Sequence, residues 1–226
     1  MKQRYLLAVL VVFLVLLIDQ IVKIWIKTSF DYSDPSISLI GDWFKLNYVE
    51  NQGMAFGATL GGGIWGKLIL SLFRVAAISV IAYYVIKQIK TGARKEFIVV
   101  VSLVLAGATG NLIDSMFYDF IFEFDPCLSF NQLPGSGNWE TCEYFKGYVE
   151  EVEVRNTGFL FGNVVDMFQF DANWPLWMPW LGGSQVFPAI WNVADAAISV
   201  GVIIILLRQK VYFPKEEKQE KQKEAE

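Results

Sequence analysis

The chain has 226 residues, of which 54% are hydrophobic, and its formal net charge of −4 comes without a basic surface of the kind that binds nucleic acid. It contains no histidine, which excludes Ser-His-Asp and Cys-His catalysis and any zinc site built on imidazole. Any chemistry must therefore use carboxylates, lysines, hydroxyls or the two cysteines, Cys127 and Cys142.

Four apolar stretches approach the roughly 20 residues that a helix needs to cross the hydrocarbon core of a membrane. They cover about residues 5–26, 67–86, 97–113 and 187–207. The first also resembles a secretory signal, but no small-residue cleavage site follows it, so we expect it to be retained. The expected fold is therefore mainly α, a polytopic membrane protein with four transmembrane helices.

The distribution of lysine and arginine predicts the orientation of these spans. Basic residues precede the first span, separate the second from the third and follow the fourth, whereas the other two connections are poor in them. We therefore expect both termini in the cytoplasm and both long connections outside. Residues 1–213 form one predicted domain, and the charged, low-complexity tail at 214–226 is predicted to be disordered.

The outer connections are predicted to be structured. Aromatic and apolar residues mix with Gly and Asn at 39–57, which predicts a strand or hairpin in a small extracytoplasmic β-rich element at about 28–62. An outer inserted loop covers about 118–160, and within it the alternation at 148–154 predicts a half-exposed strand.

Two further features belong to the outer side. Trp174, Trp177 and Trp180 alternate with prolines, which predicts an interfacial element at headgroup depth. Cys127 and Cys142 both fall in an oxidising compartment, where a disulfide and two buried thiols are both open.

Ionisable residues within or beside a span suggest a function by default. Asp19 and Lys23 stand at i and i+4 near the outer end of the first span, where they can pair on one face. An ion pair that anchors the helix end and a role in catalysis both remain open.

An N-x-x-D pattern occurs twice, as Asn111 with Asp114 and as Asn192 with Asp195. The spacing predicts an amide and a carboxylate on one helix face. Asp195 is expected about one third into the fourth span, flanked by alanines that permit close helix approach.

Asp166 lies in an apolar segment just before the fourth span and could partner Asp195. Two adjacent carboxylates cannot both ionise easily, so such a pair keeps one proton and can activate a water. The same acids could serve a proton- or ion-coupled carrier or a purely structural bundle. Four spans without repeated halves are few for an alternating-access carrier.

Five motifs, in order along the chain, resemble those of the bacterial lipoprotein signal peptidases (signal peptidase II). They are Asp19-Gln20-Ile21-Val22-Lys23 (D-x-x-x-K), Asn51-Gln52-Gly53-Met54-Ala55-Phe56-Gly57 (N-x-G-x-A-F-[SG]), Gly110-Asn111-Leu112-Ile113-Asp114 (G-N-x-x-D), Val164-Val165-Asp166-Met167 (V-V-D-[FM]) and Asn192-Val193-Ala194-Asp195 (N-x-A-D).

The resemblance implies an intramembrane aspartic endopeptidase of the bacterial inner membrane, with its active site toward the outer face. It would remove signal peptides from diacylglyceryl-modified prolipoproteins by cutting N-terminal to the lipidated cysteine. The family is inhibited by the cyclic peptide globomycin, and neither a metal nor an organic cofactor is implied. We expect a monomer whose partners are prolipoproteins and membrane lipid.

The resemblance also assigns roles to residues. Asp166 and Asp195 would be catalytic. The implied substrate-binding residues are Asn51, Gly53, Ala55, Phe56, Asn111, Asn192 and Ala194. The implied supporting residues are Asp19, Lys23, Gly110 and Asp114. Residues 51–59 could form either a lid or a plain turn.

The chain departs from the family pattern in places. Ser115 stands where arginine usually follows the G-N-x-x-D motif, and Arg74 and Arg155 are both candidates to supply that group. The long outer insertion separates Asp114 from Asp166, and Trp191 replaces a phenylalanine.

Overall fold

Helices dominate the structure, a computed structural model that describes residues 1–52 and 64–214. The helices are α1 (Lys2–Ser29), α2 (Ile64–Lys90), α3 (Lys95–Ile121), α4 (Val193–Leu207) and α5 (Gln209–Tyr212). The strands are β1 (Ile37–Ile40), β2 (Phe44–Asn51), β3 (Trp139–Tyr144), β4 (Tyr148–Glu153), β5 (Val164–Phe170) and β6 (Ile190–Trp191). Residues 53–63, which include Gly53, Ala55 and Phe56, lie outside the described residues, as does the predicted tail from residue 215.

The central helix of the bundle is α3, which packs against α1, α2 and α4. Half of its most apolar stretch is buried, against 11% for α1 and for α2. The outer faces of α1 and α2 instead expose large apolar side chains such as Leu6 and Phe73, each 68% exposed. Such a wide apolar surface suits contact with lipid chains.

The predicted first, second and third spans fall inside α1, α2 and α3. In the part of the chain that the structure describes, these three helices are long and apolar enough to cross a membrane. The predicted fourth span is only partly helical, since α4 has 15 residues and is about 22 Å long at 1.5 Å per residue. Its predicted first residues form β6 and the cap of α4 instead.

The four strands β1, β2, β5 and β6 form an antiparallel sheet in that order. The register sets Val49 opposite Asp166 and Phe168 opposite Trp191. This confirms a β-rich element after the first helix, and it extends the prediction, because β5 and β6 join the same sheet. The sheet brings Asp166 next to the chain that enters α4.

The predicted strand within the insertion is confirmed as β4, which pairs with β3 in an antiparallel hairpin. Cys127 and Cys142 form a disulfide, with their Cα atoms 5.4 Å apart, so the alternative of two free thiols does not hold. Trp177 and Trp180 lie in the loop before β6 and are 81% and 101% exposed. Their placement at the membrane interface stays a prediction.

Buried polar contacts hold the start of β5 against the insertion and α2. The amide of Asn163 donates to the side-chain oxygen of Asn131 over 3.0 Å and accepts from Lys67 Nζ, also at 3.0 Å. Arg155 donates to the same Asn131 oxygen over 2.8 Å and pairs with Asp119 at 2.8 Å. Because these groups are buried, each contact offsets a desolvation cost, and together they fix where β5 begins.

Candidate active site

Asp166 is the one charged residue of β5, a strand whose first four residues are buried. Its side chain is held from two directions. Asn51 on the neighbouring strand β2 donates to Oδ2, and Asn192 donates to Oδ1 over 2.6 Å. The carboxyl group is therefore fixed in orientation, and its residue is only 2% exposed.

Asp195 lies in the first turn of α4, not one third of the way into a span as predicted. The difference arises because α4 begins at Val193, with Asn192 as its N-cap. Asn192 and Asp195 form a capping box: the Asp195 backbone N–H donates to Asn192 Oδ1 over 2.9 Å, and the Asn192 backbone N–H donates to Asp195 Oδ2 over 3.2 Å. A negative charge is favourable at a helix N-terminus.

Two asparagines join the aspartates to each other. Asn111 on α3 donates to Asp195 Oδ1 over 2.8 Å. Asn192 Nδ2, which contacts Asp166, also lies 3.1 Å from Asn111 Oδ1. Asp166, Asn192, Asn111 and Asp195 therefore form one hydrogen-bonded chain drawn from β5, the start of α4, and α3.

The environment of Asp166 favours its protonated form. Burial, and after it the negative charge of Asp195, raise the pKa of the Asp166 carboxyl to about 8. The charge of Lys23 and the hydrogen bonds from Asn192 and Asn51 act in the opposite direction. With a pKa of about 8, the Asp166 carboxyl is mostly protonated at neutral pH.

A fully buried ionic cluster contacts Asn111, which donates to Asp195. Lys23 Nζ is 3.0 Å from Asp19 and 2.7 Å from Asp114, and all three side chains are 0% exposed. The predicted pairing of Asp19 with Lys23 is therefore present, but inside the bundle and not at a helix end in contact with the interface. Lys23 also donates to Asn111 Oδ1 over 2.9 Å, and the Ala194 backbone N–H donates to Asp19 over 2.8 Å. The cluster thus supports both Asn111 and the start of α4.

Close approach of α3 to α4 depends on small residues. A Cβ added to Gly107 would lie 2.2 Å from the Ala194 carbonyl oxygen, and one added to Gly110 would lie 3.2 Å from Ala194 Cβ. Ala194 itself is fully buried in this contact. The predicted close packing around Ala194 is confirmed, while a direct contact of Ala194 with substrate stays a prediction.

A cavity of about 720 Å³ opens over the two aspartates. Its polar lining includes Asn51, Arg74, Asn111, Asp166 and Asp195. The rest of its wall is apolar and is formed by Val164, Phe170, Phe187, Ala189, Ile190, Trp191, Ala196, Val200 and Ile203, with Ser199. A site of this kind combines two acidic side chains with a wide apolar wall that suits hydrocarbon.

The structure separates the two arginines that were candidates for the missing group. Arg74 Nη1 donates to Ser115 Oγ over 3.2 Å and lines the cavity. Arg155 pairs with Asp119 beside the insertion instead. A sequence signal for Arg74 exists, because Lys67, Ser71 and Arg74 recur at i, i+4 and i+7 and so share one face of an apolar helix.

Gln20, for which no role was predicted, also belongs to the site. Its side chain donates to Asp114 over 2.9 Å and accepts from the Tyr118 hydroxyl at 3.2 Å, which links α1 to α3. Its position in an apolar run beside Asp19 was the signal that could have identified it. Across residues 1–52 and 64–214, no group of three or more His, Cys, Asp or Glu side chains is arranged to hold a metal ion.

Known proteins of similar sequence are signal peptidases of one type. The family model described as signal peptidase (SPase) II matches residues 11–211. A lipoprotein signal peptidase of Porphyromonas gingivalis is 35% identical over 200 residues, which cover 86% of this chain and 78% of the relative. A second, from Amoebophilus asiaticus, is 33% identical over 204 residues, which cover 87% of this chain and 75% of the relative.

A solved structure described as a bacterial membrane enzyme has the same fold. It superposes with a TM-score of 0.53 at 22% identity, and the match covers 92% of each chain.

Proposed function

The chain belongs to the signal peptidase II family, and on that premise we propose that it is an aspartic endopeptidase that removes signal peptides from diacylglyceryl-modified prolipoproteins. Cleavage would occur N-terminal to the lipidated cysteine. The observation that carries the proposal is the hydrogen-bonded chain of Asp166, Asn192, Asn111 and Asp195 beside a largely apolar cavity.

The proposed mechanism uses one protonated and one ionised carboxyl group. Asp166 holds the proton, because burial and the charge of Asp195 favour its neutral form. Asp195 takes a proton from a water, whose oxygen attacks the scissile carbonyl carbon, while Asp166 donates its proton to the carbonyl oxygen. When the C–N bond breaks, Asp195 returns its proton to the cysteine nitrogen and Asp166 recovers a proton from the hydroxyl. The products are a free amine and a carboxyl group.

The cavity suits a substrate that is part peptide and part lipid. Phe170, Phe187 and Ile203 are among the apolar residues beside the carboxylates, where acyl chains would gain free energy by burial. Asn51 and Asn111 hold the carboxyl groups, line the cavity and could also contact the peptide, whereas Asn192 holds Asp166 from a fully buried position. Asp19, Lys23 and Asp114 act through Asn111 and the start of α4, so we propose for them a supporting role.

The same proposal includes location. Helices α1, α2 and α3, with α4 as a short fourth crossing, would place the chain in the bacterial inner membrane. The distribution of lysine and arginine favours cytoplasmic termini, so Asp166 and Asp195 would face the outer side. A monomeric enzyme that globomycin inhibits completes the proposal.

A cleavage assay tests this function. Purified protein in detergent is given a diacylglyceryl-modified prolipoprotein, and the product is followed by gel shift with and without globomycin. We expect globomycin-sensitive cleavage by the wild type and a loss of about 10⁴-fold or more in Asp166→Asn and in Asp195→Asn, since each removes a group needed for proton transfer. Asp171→Asn is the matched control, because Asp171 follows the same strand but pairs with Lys45.

The alternatives predict other results. A carrier would show substrate-dependent proton or ion flux in liposomes without peptide-bond cleavage. A structural bundle would show neither activity and would tolerate both Asp→Asn changes. Ordinary turnover by either purified variant would remove that residue from the catalytic pair.

A further inference from the structure

A guanidinium group lies in the wall of the active-site cavity. Arg74 comes from α2, whereas the other polar groups of the wall come from β2, β5, α3 and α4. Charged residues inside membrane helices are costly and tend to mark functional cavities. The position of Arg74 beside Asp166 and Asp195 therefore indicates a role in the reaction.

Ser115 fixes the direction of this group. The Ser115 hydroxyl donates to the Asn111 backbone carbonyl over 3.3 Å, so its oxygen is oriented to accept from Arg74 Nη1 at 3.2 Å. Ser115 is 1% exposed, which makes it a rigid anchor. In the motif that the chain resembles, an arginine stands at the position of Ser115 on α3. In this chain the guanidinium reaches the cavity from α2 instead.

The chemistry of the wall defines what Arg74 can bind. Asp166 and Asp195 are occupied with proton transfer, and the asparagines Asn51, Asn111 and Asn192 donate to these carboxylates. A guanidinium is a donor only, with five N–H groups in a planar fork, so it can serve Ser115 and a further acceptor together. In a peptide whose flanking side chains vary, the acceptor that is always present is the main-chain carbonyl oxygen.

We propose that Arg74 binds the substrate main chain by donating to a peptide carbonyl oxygen next to the scissile bond, which holds that bond over Asp166 and Asp195. The inference rests on the proposed peptidase function and adds a substrate-binding residue to it. A hydrogen bond from a charged donor corresponds to about a 10- to 100-fold difference in affinity.

Binding without turnover gives the most direct test. In the inactive Asp195→Asn background, the affinity for a fluorescent diacylglyceryl prolipoprotein peptide is measured in detergent with and without Arg74→Met. We expect a rise in Kd of about 10- to 100-fold, and an intermediate Kd for Arg74→Lys, which keeps the charge but loses the fork. Arg208→Met removes an arginine at the opposite end of α4 and should leave Kd unchanged.

Turnover of enzymes with both aspartates gives the second test. Arg74→Met should raise KM by a similar factor, with kcat changed by less than about threefold, because binding is lost equally in ground state and transition state. Adding Ser115→Arg to Arg74→Met should recover at least about tenfold in kcat/KM, since the new guanidinium starts from the residue that Arg74 now contacts.

The outcomes separate the two proposals. Failure of the wild type to cleave prolipoprotein overturns the proposed function. Cleavage by the wild type with unchanged Kd and KM in Arg74→Met overturns only the role of Arg74. That role is also overturned if Ser115→Arg brings no recovery in a double variant of wild-type thermal stability. Should that double variant not fold, the order of affinity decides: an Arg74→Lys protein no better than Arg74→Met overturns the role.

Discussion

The side-chain nitrogen of Asn192 lies 2.6 Å from Asp166 Oδ1, so the residue that caps α4 also holds the carboxyl group of β5. One side chain therefore sets the position of Asp166 and, through the capping box, that of Asp195. Asp166 and Asp195 belong to different elements, β5 and α4, and the hydrogen bonds of Asn192 fix their positions relative to each other. Changes at Asn192 can separate its two tasks.

Asn192→Ser should keep the cap of α4 but weaken the hold on Asp166. Serine keeps an oxygen that can cap α4 but loses the amide that donates to Asp166, to Asn111 and to the Val165 carbonyl. Because these acceptors stay buried, we expect a loss of about 1–3 kcal/mol of unfolding free energy and a fall in kcat/KM of about 10- to 100-fold. Asn192→Ala removes the cap as well and should cost about 1 kcal/mol more of unfolding free energy. Wild-type kcat/KM in Asn192→Ser would show that the amide does not position Asp166.

The pKa of Asp166 predicts how cleavage depends on pH. The pair works while it holds one proton, and burial together with the charge of Asp195 raises the pKa of Asp166 to about 8. Above this pH the proton is lost, and kcat/KM should fall about tenfold per pH unit. A pH–rate profile in detergent checks this, with enzyme re-assayed at neutral pH to exclude inactivation. A falling limb near the pKa of an ordinary aspartate, about 4, would contradict it.

The same group predicts a pH dependence of stability. An unfolded aspartate has a pKa of about 3.9, whereas the folded-state pKa of Asp166 is about 8. Between these values the folded protein binds more protons than the unfolded chain, so the contribution of Asp166 to stability declines as pH rises and levels off above about 8. Asp166→Asn should flatten this part of the profile, and Asp171→Asn, at an ion pair that is partly exposed, should not.

Asp114→Asn should lower the thermal stability of the protein more than it lowers kcat/KM. Asp114 is 2.7 Å from the buried Lys23 ammonium, and removal of one partner from a buried ion pair can cost about 3–5 kcal/mol. Asp19 remains 3.0 Å from Lys23 and limits the loss. Thermal unfolding in detergent measures the effect, with Asp171→Asn as the control for a carboxylate at a partly exposed pair. A stable but inactive Asp114→Asn protein would move Asp114 into the catalytic site.

The sequence predicted the helices and the pair of aspartates better than it predicted their geometry. Long apolar runs define α1, α2 and α3, because only length and composition are needed. The prediction of one helix over 187–207 was wrong, since periodicity cannot locate a boundary between a short strand and a helix. Because α4 begins at Val193, Asp195 lies in a capping box and not deep within a span. The shared face of Lys67, Ser71 and Arg74 favours Arg74 in the sequence, but only the contacts place Arg74 in the cavity wall and Arg155 beside Asp119.

Gly107→Ala should displace α4 and with it Asp195. The added methyl carbon would lie 2.2 Å from the Ala194 carbonyl oxygen, a backbone atom that cannot move without its helix. Gly201 lies in the same α3–α4 contact, but there the nearest atom, at 2.6 Å, belongs to the Val104 side chain. We therefore expect Gly107→Ala to lower both the thermal midpoint and kcat/KM, and Gly201→Ala to have the smaller effect on each. Equal losses in the two variants would mean that the approach of α3 to Ala194 does not set the position of Asp195.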